Sequence, residues 1–313
     1  MPSSFRSTAV VGAGAVGCFF GAMLARAGHR VTLVGRPRLV EAIGAQGGVR
    51  LAMGGRTETI PIEAGDSIAA VRDADLVLVC VKSTDTDATA RSLAPHLAAG
   101  AVVMSLQNGV DNAATIARQV PGARVVPAVV YVATAMPEAG LVAHHGRGDL
   151  VIGNVTGQSR GDEPPLESIV AHFASAGVPV RLSADVMAEL WAKLLVNCAY
   201  NAASGLAQAN YGTLAASPDM RALQETVVRE VVAVANADGV ALGLDASFAA
   251  VRGIAAAMAG QLSSTAQDMA RGKPSEIDHL NGFVVRRGAA LGVPTPANQA
   301  LHALVKLVEA ARR

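Results

Sequence analysis

A lysine and two asparagines recur at a spacing that places them on one side of a helix. Lys193, Asn197 and Asn201 stand at i, i+4 and i+8, and the residues between them are almost all apolar. At 3.6 residues per turn they form one polar stripe. A helix with so few polar residues is expected to be buried, where an amine is costly unless it serves a purpose such as general acid catalysis. The alternative is a lysine that extends to solvent beside asparagines that only cross-link helices.

A glycine-rich segment near the N-terminus has the pattern of a dinucleotide-binding turn. A G-x-G-x-x-G follows an apolar strand candidate and precedes a helix within one βαβ unit. The first glycine permits the tight turn, the second lets the backbone approach a pyrophosphate, and the third allows close packing of helix and strand. The helix N-terminus supplies free N–H groups to the phosphates. The expected cofactor contacts are Gly12, Ala13, Gly14, Ala15, Val16 and Gly17.

The second strand of this unit ends without the acidic residue that an NAD site uses to hold the ribose 2′-hydroxyl. Val34, Gly35 and Arg36 occupy that place. A guanidinium can bind a 2′-phosphate through two parallel hydrogen bonds, so the pattern favours NADPH over NADH. The alternative for Arg36 is an ordinary solvated loop cation.

Two more polar positions follow strand candidates, at the edge where open α/β sheets bind ligands. Lys82 follows the apolar run 76–81, and Gln107-Asn108-Gly109 follows the run 102–106. We expect Lys82 to contact ribose or substrate and Asn108 to bridge cofactor and substrate. The alternatives are a solvated strand end and an ordinary Asn-Gly turn.

Glu276 has an explanation that requires no ligand. Ser275 is expected to cap a helix over 275–291, with Glu276 in its first turn, where an acidic side chain is favoured by about 0.3–1 kcal/mol. On this evidence alone Glu276 is a structural residue.

The elements that carry these residues fall into two groups. In the first half, continuous Val, Leu and Ile runs alternate with helical stretches, which is typical of a doubly wound parallel sheet. Later, long Ala-, Val- and Leu-rich helices are separated by Gly and Pro. We therefore predict an α/β fold, with a Rossmann-like dinucleotide-binding domain over 1–184 and an all-α substrate-binding and dimerisation domain over 185–313.

The expected strands of the first domain lie at 8–11, 30–34, 76–81, 102–106 and 125–130, with a hairpin over 49–53 and 57–62 and a strand pair over 131–134 and 141–154. Its expected helices lie at 16–27, 38–45, 86–98 and 113–119. The second domain is expected to contain helices at 185–204, 218–237, 246–259, 275–291 and 296–311.

The composition argues against several classes of protein. Of 313 residues only 16% are charged, and the net charge of +1 provides no electrostatic footprint for nucleic acid. The three cysteines lie in apolar runs without metal or redox spacing, so we expect buried, reduced thiols in a cytoplasmic protein. The longest charge-free run, between Lys193 and Asp219, contains too many polar residues for a membrane span. His144 and His145 alternate across a strand and cannot face one metal ion, so no metal site is expected.

Six motifs occur in order along nearly the whole chain: the G-x-G-x-x-G, Cys80-Val81-Lys82, Gln107-Asn108-Gly109, Trp191-x-Lys193-Leu194-x-x-Asn197-x-x-x-Asn201, Ser263-Ser264-x-x-Gln267-Asp268 and Glu276-Ile277-Asp278-x-x-Asn281-Gly282. In combination they resemble the ketopantoate reductase (2-dehydropantoate 2-reductase) family. The chain differs from that family at three positions. Tyr211 stands where the family often has a substrate-contacting asparagine, and Gln261 and Thr265 stand where it often has Asn and Met beside the paired serines.

The resemblance implies NADPH-dependent reduction of the C2 carbonyl of ketopantoate to give pantoate, a step toward pantothenate and coenzyme A. It implies that Lys193 is the general acid, that Asn197 and Asn201 hold substrate hydroxyl groups and orient the lysine, and that Ser264 binds the substrate carboxylate. It also implies that Glu276 contacts substrate or cofactor near the reacting centre, which reverses the structural interpretation above. The cofactor-side residues that it implies are Arg36, Lys82, Asn108, Glu276 and, through its backbone, Ala135.

The expected partner is thus a small 2-oxo acid, with no nucleic acid, no membrane and a possible homodimer. One alternative is a reductase of another branched 2-oxo acid. A second is a β-hydroxyacid dehydrogenase, whose Lys and Asn share the i, i+4 spacing but usually follow a Gly-rich run, unlike Leu190-Trp191 here. A third is a non-catalytic NADP-binding sensor, which would have no need of the Lys/Asn/Asn stripe.

Overall fold

Short apolar strands alternate with helices in the first part of the chain. The computed structural model describes residues 5–154 and 165–312, and the chain divides into two compact units, Met1–Val186 and Met187–Arg313. The strands of the first unit are β1 (Ser7–Val11), β2 (Arg30–Val34), β3 (Val49–Met53), β4 (Arg56–Ile60), β5 (Glu63–Gly65), β6 (Leu76–Val79), β7 (Val102–Ser105), β8 (Arg124–Glu138), β9 (Leu141–Ile152) and β10 (Val180–Leu182). Its helices are α1 (Ala15–Arg26), α2 (Pro37–Gln46), α3 (Thr86–Leu93), α4 (Asn112–Gln119) and α5 (Leu166–Ser175).

The central sheet has the strand order of a dinucleotide-binding fold. Strands β5, β2, β1, β6, β7 and β8 lie side by side in that order, and all five pairings are parallel. Numbered within this set they read 3-2-1-4-5-6, and the order reverses between β1 and β6, where such folds bind their ligand. The long β8 continues past β7 to pair antiparallel with β9, which extends the sheet through β3 and β4. The predicted fold class is confirmed.

Both faces of the parallel sheet are covered, which explains the unbroken apolar runs. Val10 and Leu78 belong to a buried cluster that includes α1, whereas Val11 and Val79 belong to a second cluster that includes residues of α3 and α4. Successive side chains of a strand point to opposite faces, so each strand contributes to both cores.

The second unit is built from helices. Within its described residues we find no strand. The helices are α6 (Val186–Ala207), α7 (Tyr211–Ala216), α8 (Pro218–Ala237), α9 (Leu244–Ala257), α10 (Ser264–Ala270), α11 (Asn281–Leu291) and α12 (Pro296–Ala311).

A buried polar cluster of Glu230, Asn281 and Asn298 joins four of these helices. The Glu230 carboxylate on α8 accepts hydrogen bonds from the backbone N–H groups of Ala297 and Asn298 in the first turn of α12, at 2.8 and 2.9 Å, and from the Asn298 amide at 2.7 Å. The Asn281 amide on α11 donates to Asn298 Oδ1 at 3.0 Å and to the carbonyl of Cys198 on α6 at 3.2 Å. The carboxylate thus caps α12, whose first N–H groups have no partner within the helix.

One predicted helix of the second unit is wrong at its start. The segment expected to be helical over 275–291 contains a short 3₁₀ turn, Ile277–His279, and α11 begins only at Asn281. Leu280, between them, has φ −109° and ψ −107°, which interrupts the helix. Ser275 therefore does not cap a long helix, and Glu276 precedes the 3₁₀ turn. The structural interpretation of Glu276 required it to lie in the first turn of a long helix, and the structure removes that basis.

Two of the three cysteines match the expectation of buried thiols, whereas Cys80 is half-buried. Cys18 and Cys198 are fully buried. Burial raises the pKa of Cys18 to about 12 and also raises the pKa of Cys198. Over the described residues, no helix combines the length and apolar character that a bilayer crossing requires.

His172 on α5 is a buried titratable group whose pKa should be visible in the stability of the protein. Its side chain is hydrogen-bonded to Thr8 Oγ1 at 3.1 Å and lies against the Phe5 and His29 rings. Burial first, and the neighbouring His29 second, lower its pKa from 6.5 to about 4. The folded protein therefore binds this proton less readily than the unfolded chain does.

We expect the His172 contribution to stability to be complete above pH 6.5 and to be lost as the pH falls from 6.5 toward 4. One proton changes the free energy of unfolding by at most ~1.4 kcal/mol per pH unit. Urea unfolding across this range should have a shallower pH dependence in His172→Gln than in the wild type. The same substitution at the exposed His145 should leave the slope unchanged, and equal slopes in all three proteins would contradict the assignment.

Candidate active site

The turn after β1 is confined between the ends of β2 and β6. Gly12 has φ +96°, and a Cβ on it would lie 2.5 Å from the backbone nitrogen of Val81. The N–H groups of Gly12 and Ala13 both donate to the carbonyl of Val34, at 3.0 and 3.2 Å. A side chain at position 12 is therefore excluded both by backbone conformation and by space.

The other two glycines of the motif differ in their surroundings. A Cβ on Gly17 would lie 2.4 Å from the carbonyl oxygen of Gly12, so this glycine permits the close approach of α1 to the turn. Gly14 is exposed, and a Cβ there would meet no described heavy atom within 4 Å. Gly14 is also the N-cap residue of α1, and within the described chain no side chain caps this helix. The first N–H groups of α1 thus adjoin open space, an arrangement that fits the pyrophosphate of a dinucleotide.

Arg36 lies beside this turn. A Cβ on the preceding Gly35 would lie 2.9 Å from Cβ of Ala13, so the end of β2 packs directly against the glycine-rich segment. Arg36 is the exposed N-cap residue of α2, and Arg38, the second residue of that helix, is exposed as well. Among the described residues neither guanidinium has an ion-pair or hydrogen-bond partner. Two cations at a helix N-terminus fit a 2′-phosphate.

A buried hydrogen-bond network, which the sequence did not reveal, braces the loops after β6 and β7. The Gln107 amide donates to the Thr86 hydroxyl at 2.7 Å and to the Val81 carbonyl at 3.0 Å. The Thr86 hydroxyl donates in turn to Asn112 Oδ1 at 2.8 Å. The Asn112 amide and the Ser83 hydroxyl both donate to the Asn108 carbonyl, at 2.6 and 2.7 Å. The chain on either side of Lys82 and at Asn108 is therefore held from the protein interior.

The structure places these predicted cofactor residues in three loops at one edge of the sheet. The glycine-rich turn follows β1, Lys82 follows β6 and Asn108 follows β7, and parallel strands end at the same edge. Ala135 is different, because it lies further along β8 than the residues paired with β7, opposite Ala143 of β9 and beside a register irregularity. Its backbone contact with a cofactor stays a prediction.

In the second unit, α6 is one continuous helix through the lysine and both asparagines. The three predicted residues thus lie along one stripe, as their spacing indicated. Lys193 is less buried than expected: it is half-buried, as is Asn197. Of the three residues, only Asn201 is fully buried, at 3% exposure. A half-buried amine remains accessible to a ligand.

Asn201 and Ser264, predicted to bind substrate, are neighbours in the structure. The Asn201 amide donates to Ser264 Oγ at 3.5 Å, and Asn201 Oδ1 accepts from the Tyr211 hydroxyl at 3.4 Å. The adjacent Ser263 has a structural role, because its hydroxyl caps α10 and donates to the carbonyl of Asn201. Ser264 itself is exposed in the first turn of α10.

The segment that carries Glu276 is anchored by α12. Glu309 accepts from both the N–H and the hydroxyl of Ser275, at 2.7 and 2.6 Å. Asp278 accepts from His302 at 2.7 Å and from Lys306 at 2.6 Å. Although burial acts to raise the pKa of Asp278, these two hydrogen bonds hold it below its ordinary value. Glu276, half-buried between the two anchors, is thereby fixed in position.

Two family models together match most of the chain. The model described as ketopantoate reductase PanE/ApbA matches residues 8–157, and the model of the C-terminal part of ketopantoate reductase PanE/ApbA matches residues 185–309. The chain belongs to the ketopantoate reductase family. The family prediction from sequence is confirmed.

Relatives within the ketopantoate reductase family match nearly the whole length of this chain. The 2-dehydropantoate 2-reductase of Halobacterium salinarum is 35% identical over 302 residues, which is 96% of this chain and 98% of the relative. That of Pyrobaculum aerophilum is 36% identical over 301 residues, 96% of this chain and 97% of the relative. The crystal structure of a PanE/ApbA family ketopantoate reductase from Ralstonia eutropha is 51% identical, with a TM-score of 0.90, covering 98% of this chain and 99% of that one.

The ketopantoate reductase fold is shared with an enzyme of another name. The structure of D-mandelate dehydrogenase with NADH and anilino(oxo)acetate aligns with a TM-score of 0.91 over 98% of this chain and 99% of that one. At 22% identity this likeness establishes the fold alone.

Proposed function

We propose that this chain is an NADPH-dependent oxidoreductase that reduces 2-dehydropantoate to pantoate. The observation that carries the proposal is the α6 stripe of Lys193, Asn197 and Asn201 in a chain that curated 2-dehydropantoate 2-reductases match over 96% of its length. A sensor that only binds a nucleotide has no need of this stripe. We assign cofactor binding to residues 1–184 and substrate binding to residues 185–313.

The proposed cofactor site consists of the turn 12–17, with Arg36, Lys82, Asn108, Ala135 and Glu276 as further ligands. The free N–H groups at the start of α1 fit the pyrophosphate, and Arg36 fits the 2′-phosphate. NADPH, when bound, supplies the hydride that is added to the C2 carbonyl.

The chain's own residues supply position and a proton. Lys193 holds a proton on Nζ, polarises the carbonyl oxygen and donates that proton as the oxygen becomes an alkoxide. Asn197 and Asn201 orient the substrate hydroxyl groups and the lysine, and Ser264 donates to the carboxylate. Glu276, in its anchored segment, contacts substrate or cofactor near the reacting carbon. No protein-bound metal is needed for these steps.

We further propose a cytoplasmic enzyme whose product is used in pantothenate and coenzyme A synthesis. A homodimer formed through the helical unit is also part of the proposal. Its support is a pair of exposed leucines on α12, Leu304 at 50% and Leu307 at 65% exposure. Apolar side chains in such positions are typical of interfaces between copies of a chain.

The test of the proposed reaction is a substrate panel with the purified chain and NADPH, followed by the loss of NADPH absorbance. Ketopantoate should have the highest kcat/KM, ahead of a branched 2-oxo acid without the hydroxymethyl group and of an aromatic 2-oxo acid. A higher kcat/KM for another acid would assign a different substrate. Turnover of 3-hydroxy acids with NADP⁺ would favour a β-hydroxyacid dehydrogenase, and NADPH binding without turnover would favour a sensor.

Arg36 should determine the choice between NADPH and NADH. A charge-assisted hydrogen bond to a phosphate is worth ~1.5–3 kcal/mol, so Arg36→Ala should weaken NADPH binding about 10- to 100-fold and leave NADH binding nearly unchanged. Calorimetric titration with both cofactors measures this ratio. The control is Arg30→Ala, at the opposite end of β2, which should not alter either affinity. An unchanged ratio in Arg36→Ala would assign the 2′-phosphate to another group.

A further inference from the structure

A line of hydrogen bonds leads from a half-buried tyrosine to an exposed serine hydroxyl in the second unit. The Tyr211 hydroxyl on α7 donates to Asn201 Oδ1, and the amide nitrogen of Asn201 donates to Ser264 Oγ. Asn201 is buried, whereas Ser264 is exposed. Both donors therefore point in one direction, toward the surface that carries Ser264.

This direction decides what Ser264 can offer to a ligand. When Ser264 Oγ accepts from the Asn201 amide, its own hydrogen is left to donate outward. If the Asn201 amide were reversed, its oxygen would take that hydrogen, and Ser264 would present only lone pairs. A substrate carboxylate accepts hydrogen bonds and cannot donate them, so only the first arrangement suits it.

The Tyr211 hydroxyl is the group that selects the arrangement. Burial first, and Tyr200 second, raise the pKa of Tyr211 to about 12, so the phenol keeps its proton at neutral pH. A protonated phenol is a stronger hydrogen-bond donor than acceptor, so it favours the observed orientation, in which Oδ1 faces it and the amide nitrogen faces Ser264.

The hydroxyl is not needed to hold α7 in place. The backbone N–H of Tyr211 donates to the Gln261 carbonyl at 3.0 Å, and that of Gly212 donates to the Ala259 carbonyl at 2.8 Å. The Tyr211 ring packs against the Tyr200 ring with centroids 4.8 Å apart. A phenylalanine would keep all of these contacts, so the hydroxyl is free to serve the ligand site.

We propose that Tyr211 is a positioning residue for substrate binding, which fixes the Asn201 amide so that Ser264 donates to the carboxylate of a 2-oxo acid. The proposal rests on the proposed function, because it takes Asn201 and Ser264 as the substrate end of the site. It adds a residue that differs from the asparagine often found at this place in the family.

The test compares two chemically identical substitutions on adjacent rings. Tyr211→Phe should raise KM for the 2-oxo acid about five- to tenfold, with kcat and the Kd of NADPH within about twofold of the wild type. Tyr200→Phe is the control, because its hydroxyl donates to the Val251 carbonyl instead. It should leave KM unchanged even if the melting temperature falls. An unchanged KM in Tyr211→Phe, or equal increases in both variants, would overturn the proposal.

A double-mutant cycle tests whether Tyr211 acts through Ser264. Ser264→Ala should raise KM more than Tyr211→Phe does, and the double variant should be no worse than Ser264→Ala alone. If the two substitutions raised KM independently, their effects would multiply in the double variant. That result would overturn the role proposed for Tyr211 but would not contradict the proposed reductase function. A wild type that neither reduces nor, by calorimetry, binds any 2-oxo acid would overturn the proposed function and this proposal together.

Discussion

Lys193→Ala is expected to lower kcat for the 2-oxo acid about 10²–10⁴-fold, the range that a positioned general acid contributes. The residue lies in the second unit, on the half-buried stripe of α6, and the glycine-rich turn lies in the first. NADPH affinity should therefore remain within about twofold of the wild type. Steady-state kinetics and calorimetric titration of the cofactor measure the two quantities separately.

Two further variants sharpen this expectation. Lys193→Arg keeps the positive charge but does not release a proton near neutrality, so its kcat should stay far below that of the wild type. Lys273→Ala, at an exposed lysine of the same unit, is the control and should keep its activity. Near-normal kcat in Lys193→Ala would remove the lysine from the mechanism, and recovery in Lys193→Arg would show that charge alone suffices.

Glu230→Ala is expected to destabilise the helical unit by about 3 kcal/mol or more. The substitution leaves two backbone N–H groups of α12 and the Asn298 amide without their acceptor in a buried site, and each unsatisfied donor costs ~1–3 kcal/mol. The decrease should appear as a lower urea midpoint, measured by a probe in the helical unit such as Trp191, the single tryptophan. Because two units can unfold separately, the midpoint is a safer quantity than an extrapolated free energy.

The matched control for Glu230 lies on the same helix. Glu225 is exposed on α8, and its replacement by Ala should change stability by no more than about 0.5 kcal/mol. Glu230→Gln retains one oxygen acceptor and should fall between the two. If Glu230→Ala and Glu225→Ala had equal midpoints, the buried cluster would have no measurable role in holding α12.

The parallel sheet could be predicted closely because its strands are buried on both faces. The predicted strand 30–34 coincides with β2, and those at 8–11 and 102–106 differ from β1 and β7 by one residue at one end. The dinucleotide turn was equally readable, since the need for glycine at 12 and 17 arises from close backbone contacts. The positive φ of Gly12 and the close contact of Gly17 with the Gly12 carbonyl arise within this short segment and leave a local signature, whereas the contact of Gly12 with Val81 joins distant parts of the chain.

Features that depend on distant residues were missed. The strands β5 and β10 have only three residues each, too few for an apolar pattern, and exist through their neighbours in the sheet. The late start of α11 follows from a break at Leu280 that local propensity does not indicate. In the site, the stripe on α6 could be predicted from its spacing. The contact of Tyr211 with Asn201 and the buried hydrogen-bond network around Thr86 could not, because each joins segments that are distant in the sequence.

The anchoring of Glu276 by α12 has a consequence for the order in which the protein matures during synthesis. His302, Lys306 and Glu309, which hold the segment 275–278, are translated well after it. The sheet and its glycine-rich turn belong to a compact unit of their own, and because domains generally fold as units during synthesis, this unit is expected to fold while the segment 275–278 still lacks its anchors. A nascent chain that stalls before residue 302 would thus be able to acquire a nucleotide-binding fold without a fixed Glu276.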